Sequence, residues 1–130
     1  MNRNIGDRYE SALIDLLNDR GFWCHLFAYK PEGQPCDVVA LKGNSKVGLL
    51  AMLIDVKHCS EDRFSFSNIR PNQRSCFLLA QQRGIEHCGF AIYFEKQHCW
   101  RWLPFEDVVN LESWGYKSVP FNQTEDFLWN

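Results

Sequence analysis

No apolar stretch of the 130-residue chain reaches the ~18 residues that a membrane-spanning helix needs. The polar opening Met1-Asn2-Arg3-Asn4 also lacks the basic-then-apolar order of a secretory leader. A cytoplasmic protein without membrane attachment is expected. Positive charge is equally scarce: 14 Lys and Arg stand against 16 Asp and Glu, giving −2 and a pI near 6.1. That excludes the uniformly basic body of a nonspecific nucleic-acid binder, so any phosphate-binding surface has to be local. There is no Cys-x-x-Cys among six cysteines. Each of the four histidines adjoins a cysteine (Cys24-His25, His58-Cys59, His87-Cys88, His98-Cys99), but neighbours on a strand point to opposite faces and rarely chelate one ion. The cysteines read as reduced thiols that behave as small hydrophobes beside half-exposed histidines.

What is present is a core. With 45% hydrophobic and 15% aromatic residues, the chain has enough apolar surface to fold without staples. We expect one domain over residues 1–130, with 115–130 as a C-terminal aromatic tail. Tyr9, Ala12, Leu13, Leu16 and Leu17 recur at helical spacing between Gly6 and Arg20, and Gly21 stands where a helix-terminating glycine would. Strand-like stretches follow at Phe22 to Tyr29 and Cys36 to Lys42, separated by the breaker Lys30-Pro31-Glu32-Gly33-Gln34-Pro35. A long strand is expected from Val47 to Lys57, a polar loop from Ser60 to Arg70, and a helix opened by Pro71 and running to Gly84. Strands over Gly89 to Glu95 and His98 to Trp102, then a helix opened by Pro104, complete a mixed α/β order: a central β-sheet flanked by helices.

The polarity of the long strand changes only at its end. Leu50, Met52, Ile54 and Val56 form one apolar face; Leu49, Ala51 and Leu53 form the other, until Asp55 and Lys57 interrupt it. A carboxylate and an ammonium thus share one face. With Asp37 opening the neighbouring strand, two carboxylates converge beside a lysine, which suits a hard divalent cation and phosphodiester chemistry. Taken singly, Asp37 also reads as a turn residue, Glu10 as a surface glutamate, and Asp55 with Lys57 as an exposed pair.

In this order, Glu10 on the first helix, Asp37, Asp55-Val56-Lys57 and Gln73 on the following helix resemble the PD-(D/E)XK nuclease superfamily, whose fold is restriction-endonuclease-like. Phe64-Ser65-Phe66-Ser67-Asn68-Ile69, Gln73 and Gly89-Phe90-Ala91-Ile92-Tyr93-Phe94 are similar to the RecU-type Holliday-junction resolvases. The resemblance runs from about Gly6 to Leu103. It implies that Asp37 and Asp55 ligate Mg²⁺ (with Mn²⁺ able to substitute), helped by the Val56 carbonyl and by Glu10. It implies too that Lys57 orients water or steadies charge on phosphorus, that Gln73 supports the lysine, and that the substrate is DNA, branched in form, cut by a homodimer. Two departures are visible: Cys36 precedes Asp37 where the motif has proline, and Asp55 stands where glutamate is commoner. Arg63, Arg70 and Arg74, with Lys30 and Lys42, are the candidate phosphate contacts. A non-catalytic nuclease-fold module that binds protein or nucleic acid is the alternative class.

Overall fold

The computed structural model describes residues 3–28, 33–44, 46 and 48–127, with side chains from residue 8 onward. Helix α1 (Arg3–Asp19) turns Leu13 and Leu17 onto the sheet, where both are fully buried. It stops at Gly21, whose φ of +87° is open to a residue without Cβ. There Gly21 N–H bonds the Asn18 carbonyl and Phe22 N–H that of Leu17, both at 3.0 Å, so the last carbonyls are satisfied and Phe22 is brought onto Leu17.

Strands β1 (Trp23–Leu26), β2 (Val38–Asn44) and β3 (Gly48–Cys59) form an antiparallel meander. After β3 come a short strand β4 (Arg63–Ser65) and helix α2 (Pro71–Gln82), which returns the chain to β5 (His87–Phe94), parallel to β3. Strand β6 (Cys99–Pro104) pairs antiparallel with β5, and helix α3 (Phe105–Ser113) follows. The last two strands are β7 (Ser118–Pro120) and β8 (Glu125–Asp126). The main sheet has the order β1-β2-β3-β5-β6-β8, and β4 pairs with β7 apart from it. This is the expected mixed sheet with flanking helices.

Two apolar layers sandwich the sheet. Leu13, Leu17, Val38, Ala40, Met52, Ile54 and Trp102 fill the α1 side, while Phe64, Phe77, Phe90, Phe105 and Val108 fill the side covered by α2 and α3. The alternation along β3 is what assigns Leu53, Asp55 and Lys57 to this second side. Ser60 to Arg70 is not a loop throughout: β4 forms within it and ties to Val119 on β7, and Phe64 and Phe66 are buried as core. Nor do residues 118–127 hang as a tail. β7 and β8 join the two sheets, and Val119, Thr124 and Phe127 are buried.

Gly89 is where β5 meets the chain turning from β6 into α3. A Cβ there would lie 2.4 Å from the Leu103 carbonyl oxygen and 2.9 Å from the Phe105 nitrogen, both backbone atoms. Gly89→Ala is expected to destabilise the protein by about 3 kcal/mol, the upper range for overpacking, since backbone cannot step aside like a side chain. Urea unfolding measures this, and a loss below about 0.5 kcal/mol, the size of an ordinary surface change, would contradict the packing described.

Candidate active site

The β2–β3 ladder reaches its last pair at Val38 and Ile54, and the next step of that register sets Asp37 opposite Asp55. Backbone and side chain of Asp37 both hold this end closed. Its N–H bonds the Ile54 carbonyl at 3.0 Å, and its Oδ2 accepts the Val56 N–H at 2.7 Å. An extended residue points its N–H and C=O to the same edge, so the Val56 carbonyl faces the gap where β2 has ended. Gln34 Nε2 donates to Asp37 Oδ1 at 3.0 Å. The Gln34 carbonyl in turn accepts from Asn72 Nδ2 at 2.9 Å, which ties the loop before Asp37 to the first turn of α2.

Asp55 is 1% exposed. Lys57 Nζ lies 3.1 Å from its Oδ2, but the approach is not aligned as a hydrogen bond, and among the described residues neither Asp55 oxygen has a hydrogen-bond partner. Burial pushes the Asp55 carboxyl well above the usual carboxylate range; Lys57 pulls it down, and the neighbouring Asp37 carboxylate, within hydrogen-bonding reach, pushes it up again. Lys57 Nζ also donates to Gln73 Oε1 at 3.3 Å. Gln73 is itself fixed, because it is the third residue of α2 and its Oε1 takes the Arg70 N–H at 2.8 Å, satisfying one of the helix's free donors. Asp37, Asp55, Val56, Lys57 and Gln73 are thus brought together at one end of the β2–β3 pair.

Glu10 is half-buried on α1, the helix whose Leu13 and Leu17 pack on the other side of the sheet, and among the described residues no three His, Cys, Asp or Glu side chains gather as a metal-binding group. Arg63 and Arg70 are exposed, with Arg63 Nε donating to Ser118 Oγ at 3.0 Å. Arg74 is engaged with Glu112 through two parallel bonds of 2.8 and 2.7 Å, so its charge is offset within the protein. Lys42 lies toward the far end of β2, where its Nζ donates to the Arg20 carbonyl at 2.8 Å and covers the Phe22 ring. Lys30 lies outside the described residues.

Sequence reasoning missed Gln34; its only trace is a polar amide three residues before Asp37. At the position of the missing motif proline, Cys36 is buried and its thiol donates to the Val38 carbonyl at 3.6 Å, while its nearness to Cys76 of α2 pulls that thiol down to about 7. All six cysteines are free.

The donor set fits a hard divalent cation. Every available atom is oxygen, and Asp55 presents two buried carboxylate oxygens with no hydrogen bond to explain their burial. An acid at the start of one strand facing an acid-x-lysine on the next, within a helix-flanked mixed sheet, is the arrangement of the PD-(D/E)XK nucleases, and the chain has this resolvase-type, restriction-endonuclease-like fold. Among solved structures it is similar to Hjc, a Holliday junction resolvase from the archaeal hyperthermophile Archaeoglobus fulgidus, with 26% identity over 78% of this chain and 73% of that one at a TM-score of 0.56. D212, a nuclease from a fusselovirus, shares the fold at 14% identity, covering 89% of this chain and 80% of that one, also at a TM-score of 0.56. No protein-family model and no curated protein sequence matches the chain. Among the described residues no helix is long and apolar enough to cross a membrane.

Proposed function

We propose that the protein is a divalent-cation-dependent endodeoxyribonuclease that hydrolyses phosphodiester bonds in branched DNA, with Asp37, Asp55, Lys57 and Gln73 as its working residues. The observation that carries this is the buried Asp55 carboxylate, left without a hydrogen bond beside Asp37 and Lys57. A folded protein keeps such a group where it has a use for the charge. Mg²⁺, or Mn²⁺ in its place, would be held by Asp37, Asp55 and the Val56 carbonyl, and would supply Lewis-acid polarisation of the phosphate and a more acidic water.

The protein's own groups do the rest. Lys57 presents an ammonium at the site, drawn by ion pairing toward Asp55 and donating one N–H to Gln73, so it has further N–H groups to offer to water or to a phosphoryl oxygen. Gln34 and the Val56 N–H hold the Asp37 carboxylate in place, which spares reorganisation when substrate arrives. The branched substrate follows the likeness to Hjc, itself a Holliday junction resolvase. Paired cuts across a four-way junction require two sites related by a two-fold axis, hence a homodimer.

The direct test is cleavage of a synthetic four-way junction with linear duplex as control, with Mg²⁺, with Mn²⁺ and with chelator. Cutting that needs the metal and prefers the junction is expected. No cutting of either DNA with Mg²⁺ or Mn²⁺ would sink the nuclease reading, and equal cutting of both would remove the junction.

The fate of each arginine makes a further prediction. Arg63 and Arg70 project into solvent while Arg74 is paired with Glu112, so the first two carry the phosphate contacts. Neutralising Arg63 and Arg70 together is expected to flatten the log–log dependence of DNA affinity on salt by roughly two units, about one for each phosphate left unneutralised. Arg74→Gln should leave the slope nearly unaltered. The opposite ranking in a salt titration of junction binding would refute this assignment.

A further inference from the structure

Strand β1 is the edge of the main sheet, and its outward alternation places aromatic rings where burial would be the usual choice. Trp23 is 61% exposed, His25 is exposed, and Phe27 is half-buried against the core on the α2 side. Register fixes the face. His25 pairs with Val39 and Trp23 with Leu41, so these rings share the side of the sheet that carries Asp37, Asp55 and Lys57. One step beyond the last β1–β2 pair, Phe27 stands opposite Asp37 and its N–H bonds the Asp37 carbonyl at 2.9 Å. An aromatic row therefore runs from the open edge of the sheet to the first acid of the site.

The spacing within the row is informative. The Trp23 and His25 rings are nearly parallel, inclined by 13°, with centroids 6.5 Å apart. That is about the two-residue rise of a strand, so the two rings stand side by side along the open edge as a flat aromatic surface on which a base can stack. The His25–Phe27 pair is different: its centroids are 5.0 Å apart and its planes cross at 89°, so Phe27 closes the inner end of the row. From between Trp23 and His25 to Phe27 is three residues of strand, on the order of 10 Å. A nucleotide held at the outer end is then one short reach of chain away from a phosphate at Asp37.

We propose that Trp23 and His25 form a shallow slot at the sheet edge, on whose rings one unpaired nucleobase of the strand entering the active site stacks. This rests on the nuclease reading and adds to it a substrate feature: single-stranded character next to the cut, such as an opened branch point or a flap. Aromatic stacking tolerates any base, so the slot reads unpairedness instead of sequence. The row contributes flat rings and no Lys or Arg, which suits bases better than phosphates.

The test uses the full chain in chelator, so that nothing is cut, and measures anisotropy of a labelled single strand of about eight nucleotides, within the range one such site covers. The comparison is an abasic phosphodeoxyribose chain of the same length and charge. Wild type is expected to bind the intact strand about tenfold more tightly than the abasic one, a typical worth of a single base–aromatic stack. Trp23→Ala and His25→Ala should each lose most of that difference, and Trp23→Phe should keep most of it. Equal binding of intact and abasic strands by wild type, no binding of either, or base discrimination that survives Trp23→Ala would each overturn the slot. If Trp23→Ala keeps the discrimination but changes the protein's mass in solution, the face joins two copies of the chain and the slot is likewise refuted. Base discrimination through Trp23 in a protein that cuts no DNA would remove the nuclease reading and keep the slot; junction cutting without discrimination would do the reverse.

Discussion

Asp55→Asn is expected to reduce DNA cleavage by a thousandfold or more and, in the absence of divalent ions, to stabilise the folded protein near neutral pH. The first effect follows because the amide keeps the shape of the side chain but loses the charge that would hold a cation. A cation's several kcal/mol of transition-state stabilisation corresponds to about three powers of ten. The second follows from burial. The Asp55 carboxyl titrates well above the usual carboxylate range in the folded protein, chiefly through desolvation. As pH rises through that usual range, the unfolded chain releases this proton while the folded protein retains it. The folded state then binds more protons, so stability falls with rising pH until the raised folded value is passed, and stays at its lowered level above it. Asparagine has no proton to lose and is spared that decline. Thermal unfolding of both proteins at pH 4 and pH 8 in chelator reads the difference, which should grow toward pH 8. A variant that cuts at the wild-type rate, or whose stability relative to wild type does not change with pH, would contradict the role given to this carboxylate.

That such a residue could be found from sequence is a matter of periodicity. A twelve-residue strand offers enough alternation to show that Asp55 and Lys57 break an otherwise apolar face, and β3 is that long. Gly21 and Pro71 mark helix ends by backbone chemistry that is local, so those boundaries were legible as well. The three-residue strands β4 and β7 were not: three residues carry no usable period, and their pairing joins positions more than fifty residues apart. For the same reason residues 115–130 read as an aromatic tail. Burial of Val119 and Phe127 depends on strands that no local pattern announces. Charge is the other limit. Sequence counts Arg74 and Lys42 as available cations, whereas folding joins Arg74 to Glu112 and Lys42 to a carbonyl at the end of α1. Gln34 shows the converse, since a neutral residue in a loop acquires its role only when the loop is laid against Asn72.

Lys57→Ala is expected to be as inactive as Asp55→Asn but opposite in its effect on stability. Among the described residues Lys57 is the positive group that lowers the Asp55 carboxyl, and removing it leaves a carboxylate that is 1% exposed with neither an ion pair nor a hydrogen bond. Stranding a buried charge costs on the order of 3–5 kcal/mol. Asp55 can escape that cost by holding its proton to still higher pH, so the loss should be small near pH 5 and approach the full amount near pH 8 or above. The sign is that of linkage for an acid whose folded titration has been pushed further up: the pH window in which stability declines becomes wider. Adding Asp55→Asn to Lys57→Ala should then recover most of the lost stability and none of the activity, because the two side chains are coupled and the penalty belongs to the charge left behind. Denaturant unfolding of the two single variants and the double variant at both pH values completes the cycle. Equal destabilisation by Lys57→Ala at pH 5 and pH 8, or no recovery in the double variant, would show that Lys57 supports the fold through its packed stem and not by compensating Asp55. Loss of cleavage by Lys57→Ala at pH 5, where its stability is close to that of the wild type, would place Lys57 in the chemistry itself, since the fold is then intact and the ammonium is what is missing.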